Sequence, residues 1–314
     1  MKKQSLTFYL ASLVKKMKSG GRYGTAHVYD CAMKSFSAFC GNKAVPFGVL
    51  TPECLKRYEN HLRGAGKREN TVSTYLRMLK AAYRRAVREK IVEDYDPMLF
   101  SDVGTGTRAG IKRAIEPDVM SRILNADLSA LPKSLRTACV RASLMYRFRG
   151  MSFADYAYLP AEGLQPKKRL TYKRKKTGRA LTALVSAETQ ALIDLDANPQ
   201  EGSDYLFPIL GTCEWGSEAG YKTYQRELRK FNHRLDRLSK VLGLGVRISS
   251  YTIRHTWATT AFRQKVPIGF IANAMGHSSV KVTETYLKPF EEEELNRVNE
   301  GIIKYTMGQM NAAV

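Results

Sequence analysis

The chain has 314 residues and carries 51 Lys and Arg against 29 Asp and Glu, a formal net charge of +22. A charge this large repels itself unless a polyanion offsets it, and the basic residues are spread along the whole chain, so the expected partner is nucleic acid. No apolar run reaches the roughly 18 residues of a membrane span, no signal core follows Met1-Lys2-Lys3-Gln4, and the five cysteines include no Cys-x-x-Cys pair; a cytoplasmic protein with no membrane contact, structural metal or disulfide framework is expected.

The length suits two domains. Leu6, Leu10, Leu13, Val14 and Met17 share one helical stripe between Leu6 and Lys18. A second helix is expected over 23–39. A third runs from the start signal Thr51-Pro52-Glu53 to Gly64-Ala65-Gly66, and a fourth over 70–90. The fourth turns Tyr75, Leu79, Ala82, Tyr83 and Ala86 inward and is rich in Arg77, Lys80, Arg84, Arg85 and Arg88. Residues 1–102 therefore read as a small helical domain. Gly104, Gly106 and Gly110 stand among polar and basic residues without an apolar period, so 103–113 reads as a linker. The first helix begins within about ten residues of Met1, and no separate DNA-binding arm is expected before it.

The second domain, 114–314, opens at Glu116-Pro117-Asp118 and continues through a helix over 135–148 with Ala138, Ala142, Met145 and Tyr146 toward the core. Between Leu170 and Ser186 two alternating segments flank Lys175-Lys176-Thr177-Gly178, the pattern of a β-hairpin. From Thr252 on, positions 253, 257, 258, 261 and 262 form an apolar stripe, with Arg254 off it and free to face a cleft. Pro267 starts the next helix and Gly276 ends it in a left-handed cap, presenting His277 just past a helix end. Ser278 or Ser279 caps a short helix through Val282, Thr283 and Tyr286 that Pro289 stops. A last amphipathic helix, 291–303, carries Leu295, Val298, Ile302 and Ile303, and a tail follows over 305–314. The fold class is mainly α with a small β-hairpin or sheet in the second domain, an α+β arrangement.

The chemistry is carried by Arg254-His255-Thr256-Trp257, then Met275-Gly276-His277-Ser278-Ser279, then Tyr286 nine residues after His277. With 17 tyrosines in the chain, Tyr286 stands out by this spacing and not by residue type. In these strings the chain resembles the tyrosine recombinases, or phage integrase family. That resemblance implies a helical, SAM-like core-binding domain and a catalytic domain that close around duplex DNA. It implies Tyr286 as the nucleophile of a 3′-phosphotyrosine intermediate, with Arg254 and His277 stabilising the phosphate, and resealing that needs no metal, ATP or cofactor. A lysine at the hairpin turn protonates the leaving 5′ oxygen in the family, and Lys176 aligns best; a contact to the DNA backbone is its other reading.

Two positions depart from the family pattern. With Asp155 as the acidic residue and Leu159 as the leucine of the first box, Ser152 falls where the first catalytic arginine belongs. A hydroxyl supplies neither the charge nor the bidentate fork of a guanidinium. Arg149, three residues earlier, is expected to substitute if the helix extends that far, with Arg141 and Arg147 as rivals. The string Arg149-Gly150-Met151-Ser152 is similar to integrases of mobile elements, including conjugative-transposon types. Tyr251 replaces the histidine common three residues before Arg254 and is expected to assist, although a phenol with a pKa near 10 is the poorer base.

Contacts to DNA are expected from Arg77, Lys80, Arg84, Arg85, Lys173, Arg174, Lys175 and His255. The resemblance further implies double-stranded DNA as partner and a homotetramer on two DNA sites, with accessory DNA-bending proteins as further partners. The last helix packs on a neighbouring subunit or on its own domain. The outcome would be integration, excision or inversion. Two other readings stay open, a DNA-binding protein with a failed active site and a type IB-like topoisomerase.

Overall fold

A computed structural model of the chain describes residues 5–106, 113–166, 168–287 and 292–307. The chain divides into two compact units, one of residues 1–110 with 212–225 and one of residues 111–211 with 226–314.

The first unit is built on four helices, α1 (Leu6–Ser19), α2 (Tyr23–Phe39), α3 (Pro52–Gly64) and α4 (Glu69–Arg88). Their starts follow local chemistry. The Ser5 hydroxyl accepts from the Phe8 N–H, and Thr51 accepts from Cys54 ahead of a proline whose missing N–H the first helical turn does not need. Leu6, Leu10, Phe36, Leu55, Tyr58, Leu76 and Leu79 are fully enclosed in one core. The whole expected stripe of α1 is buried, and so are Leu79, Ala82, Tyr83 and Ala86 of α4; Tyr75 is half-buried.

The start of the segment read as a linker is part of this unit. Val103 joins the core, and the Gly104 N–H donates to the buried Glu59 carboxylate, which also takes Lys56 and Arg63. Residues 107–112 of that segment lie outside the described residues, as do Pro289 and the tail from 308. Residues 212–225, read from the sequence as part of the second domain, gather with the first unit instead. Lys18 pairs with Glu218 at 3.0 Å, and the Tyr23 and Tyr221 rings stack 5.9 Å apart.

The second unit contains α5 (Pro117–Leu124), α6 (Lys133–Arg147), α7 (Phe153–Ala157), β1 (Leu164–Gln165), β2 (Arg169–Lys173), β3 (Ala180–Leu184) and α8 (Ala187–Asp196). After these come most of α9 (Glu218–Val241), then α10 (Ser250–Arg263), α11 (Ile268–Ala274), α12 (Val280–Glu284) and α13 (Glu292–Thr306). The expected hairpin is present as β2 and β3, with Leu170 opposite Ala183 and Tyr172 opposite Leu181. The short β1 pairs antiparallel with β2 and makes a three-stranded sheet.

One buried ion pair anchors α6 to α8. Arg141 donates from Nε and Nη2 to the two oxygens of Asp196 at 2.8 Å each, and the Tyr156 hydroxyl donates to the same carboxylate at 2.7 Å. Removing one partner leaves the other charge buried and unpaired. Asp196→Ala is therefore expected to lower stability by about 3–5 kcal/mol in urea unfolding. Glu188→Ala, which breaks only the exposed pair with Arg147, should change it by less than about 1 kcal/mol. Equal effects of the two would show that the Arg141 pair does not hold the unit together.

Candidate DNA strand-cleavage site

α10 is started by a reciprocal cap in which the Thr252 N–H donates to the Ser249 hydroxyl and the Ser249 N–H donates to the Thr252 hydroxyl. That fixes the first turn and directs Arg254 inward, where it is only 3% exposed. The apolar stripe suggested an arginine free in a cleft; the structure encloses it among carbonyls. Nη1 donates to the Gly150 carbonyl at 2.6 Å, and Nη2 donates to the Met275 carbonyl at 2.9 Å and to His277 Nε2 at 2.8 Å. Gly150, at φ 66°, makes this approach possible, since a Cβ there would sit 3.2 Å from the Arg254 Cα. Among the described residues no carboxylate lies within ion-pairing distance of Arg254, and its Nε–H is buried without an acceptor. A buried cation with an unused donor is arranged to receive an anion.

His277 follows Gly276, which has φ 65°, and its N–H closes the end of α11 on the Ala272 carbonyl at 2.9 Å. The ring is buried, with Nδ1 at 2.8 Å from the Thr283 hydroxyl. Tyr286, just past α12, is half-buried; its ring centroid lies 5.0 Å from that of His277 and 4.6 Å from that of His255, and the Arg254 guanidinium carbon is 5.4 Å from it. The Tyr286 carbonyl accepts from His255 Nδ1 at 3.0 Å and from the Thr259 hydroxyl at 3.3 Å. His255, expected as a DNA contact, is placed as a holder of the tyrosine.

The hairpin adds a second guanidinium. Leu170, Tyr172 and Arg174 alternate onto the buried face, so Arg174 turns inward while Lys173 stays exposed. Arg174 Nη1 donates to the Gly276 carbonyl at 2.7 Å, and Nε meets Asp155 at 3.3 Å. Its side chain crosses Gly276 so closely that a Cβ there would lie 2.5 Å from the Arg174 Cδ. Asp155 is held by Ser152, whose hydroxyl donates to the carboxylate at 2.7 Å and accepts the Asp155 N–H at the start of α7, and by the Lys175 N–H at 2.8 Å. Ser152 thus acts through Asp155 on an arginine from the hairpin. Burial first, and then the charge of Arg174, push the Arg254 pKa down.

The other expected residues are placed as follows. Lys176 is exposed, and its charge is felt at His277. The Lys175 ammonium lies 4.0 Å from the centre of the Tyr158 ring, and burial lowers its pKa. α6 ends at Arg147, and Arg149 has φ 59°, so the helical relation that would align Arg149 with Ser152 does not exist. Arg149 lines an apolar cavity of about 540 Å³ with Trp257, Val266 and Phe270, which includes none of Arg254, His277 and Tyr286. Its rivals are engaged elsewhere, Arg141 with Asp196 and Arg147 with Glu188. Tyr251 is exposed on the first turn of α10, with the Arg113 guanidinium 5.8 Å from its ring centre. In the first unit Arg77, Lys80, Arg84 and Arg88 line one groove of about 780 Å³ with Tyr95, whereas Arg85 is paired with Glu89 at 2.9 Å.

A model of the phage integrase SAM-like domain matches residues 5–98, and one of the phage integrase family matches residues 113–293. Tyrosine recombinase XerD of Bradyrhizobium diazoefficiens is 24% identical over 297 residues, covering 88% of this chain and 89% of the relative. Among solved structures, the Tn1549 transposon integrase in complex with transposon right end DNA superimposes with a TM-score of 0.62 at 13% identity, covering 95% of this chain and 99% of that one. A lambda integrase dimer bound to a core site gives 0.62 at 17% identity, covering 92% and 99%. At these identities the structural likeness is one of fold.

Burial, and then the charges of Arg254, Arg174 and Lys176, push the His277 pKa from 6.5 down to about 3. The folded-state value lies below the unfolded one, so the unfolded chain binds a proton that the folded chain refuses between these limits. The stability tied to neutral His277 is complete above pH 6.5 and is lost as the pH falls toward 3. His277→Gln should remove about one proton from the pH dependence of the unfolding free energy in that window. An unchanged slope would show that the imidazole titrates freely.

Proposed function

This chain belongs to the phage integrase family, whose members are enzymes that cleave and rejoin DNA, and from that premise we propose that it is the site-specific recombinase of a mobile element, acting through a 3′-phosphotyrosine at Tyr286. The observation that carries this reading is the enclosure of Arg254 and His277 beside the Tyr286 ring, with buried Arg174 on the Gly276 carbonyl next to His277 and a buried donor of Arg254 unused.

The Tyr286 phenol releases its proton to water, its oxygen attacks the phosphorus of a phosphodiester, and the bond to the 5′ oxygen breaks. Two guanidiniums fixed before the substrate arrives stabilise the charge on the nonbridging oxygens without reorganising. Lys176, on the hairpin turn, supplies the proton for the leaving 5′ oxygen. The phosphotyrosine conserves the bond energy, so a 5′ hydroxyl of the same or another strand reverses the step and releases the tyrosine. Arg174 takes the part of the arginine missing at Ser152, which favours a working site over a failed one. The mobile-element assignment rests on the Arg149-Gly150-Met151-Ser152 string.

Assembly is proposed through α13. Leu295, Val298 and Ile302 recur at helical spacing and are 54%, 58% and 59% exposed, an apolar stripe that a second copy of the chain would cover. Four protomers on two DNA sites would then exchange strands in pairs.

The test is denaturing capture of protein–DNA adducts from genomic DNA incubated with the protein and EDTA. Wild type should trap discrete sites and Tyr286→Phe none. Arg174→Ala should reduce adducts by about 10²–10³-fold, the typical effect of losing one transition-state donor. Arg149→Ala should leave them near wild type; the reverse order of the two arginines would overturn the assignment of Arg174. Separately, Val298→Glu with Ile302→Glu should keep binding to one trapped site and lose pairing of two sites on native gels. Unimpaired pairing would remove α13 from the assembly.

A further inference from the structure

We infer that Thr283 is a positioning residue for strand cleavage, whose hydroxyl accepts the Nδ1 proton of His277 and so keeps the Nε2 lone pair on Arg254. The inference rests on the reading of Arg254 and His277 as part of the cleavage site.

The tautomer follows from the partners. Arginine has only donors, so the imidazole atom 2.8 Å from Arg254 Nη2 must carry a lone pair. The single proton of the neutral ring is then on Nδ1, which points at the Thr283 hydroxyl 2.8 Å away. Both residues are sealed from water, His277 at 4% exposure and Thr283 at 0%, so no solvent molecule stands in for a missing acceptor. Burial and three nearby cations keep the ring neutral, and the choice between its two nitrogens is left to Thr283 and Arg254.

Thr283 also lies one turn before Tyr286, whose N–H donates to the Thr283 carbonyl at 2.9 Å. One residue therefore orients the histidine through its side chain and the nucleophile through its backbone. In Thr283→Val the shape is kept and the acceptor is lost. The Nδ1 proton is then buried without an acceptor, and the share of it that moves to Nε2 meets the Nη2 donor of Arg254 and pushes the guanidinium away from its three acceptors. Thr283→Ser retains the hydroxyl and should retain the arrangement.

The experiment uses the full chain labelled with [15N]histidine, with long-range proton–nitrogen correlation and His277→Gln to assign the signals. Wild type and Thr283→Ser should show a protonated Nδ1 and a bare Nε2, and Thr283→Val the opposite or a mixture. On the same genomic DNA used for adduct capture, Thr283→Val should form adducts about 10–100-fold more slowly with binding unchanged, the size seen when the group orienting a metal-bound histidine is lost. Thr283→Ser should stay within about threefold of wild type. A protonated Nε2 in wild type overturns the inference whatever the variants do. So does a Thr283→Val protein with the changed tautomer and wild-type adduct rates. Failure of wild type to form adducts would count against the cleavage reading, and the tautomer measurement, which needs no DNA, separates that failure from this one.

Discussion

The organisation of the second unit depends on a positive charge held out of water with no carboxylate of the described residues in ion-pairing distance. Arg254 is enclosed, its two terminal nitrogens are taken by the Gly150 and Met275 carbonyls and His277, and its Nε–H has no acceptor. Neutral acceptors orient a guanidinium and leave its charge in place. The surrounding elements serve that arrangement. The cap at Ser249 aims the side chain, Gly150 lets the α6–α7 connection reach it, and the end of α11 presents both a carbonyl and the imidazole.

Arg174 extends the same logic. Burial first, and then repulsion by the second guanidinium close by, lowers the Arg254 pKa, and Asp155 offsets only part of that charge. The arrangement is held because Asp155 is itself fixed by Ser152 and by the Lys175 N–H. Ser152 is therefore one end of a short chain, hydroxyl to carboxylate to guanidinium, that brings the positive charge in from the end of β2. Gly276 is the space through which that side chain passes.

Polarity separates the roles of the basic residues. Arg141 is satisfied by Asp196 and Tyr156 and holds α6 to α8, so it is structural in spite of its charge. Arg77, Lys80, Arg84 and Arg88 face one groove of the first unit, with Lys80 also over the Phe100 ring at 5.9 Å. Arg85, paired with Glu89, does not share that groove.

The sequence by itself determined the helical first domain, the hairpin, and the set Arg254, His277 and Tyr286, because apolar periodicity, caps and short spacings are local properties of the chain. Leu6 to Met17 could bury only one stripe, and Gly276 could end only one helix. What the tertiary structure decided depends on contacts between residues far apart in the chain. Arg174 and Gly276 are 102 residues apart, and nothing local says that the guanidinium of one lies across the backbone of the other. The period-two alternation from Leu170 did place Arg174 on the buried face, a signal masked by the run of basic residues around it. Arg149 was legible only as a nearby arginine, and its φ of 59° past the end of α6 took it out of helical register with Ser152. The grouping of 212–225 with the first unit likewise rests on Lys18 with Glu218 and Tyr23 with Tyr221, pairs whose spacing in sequence carries no trace of their contact.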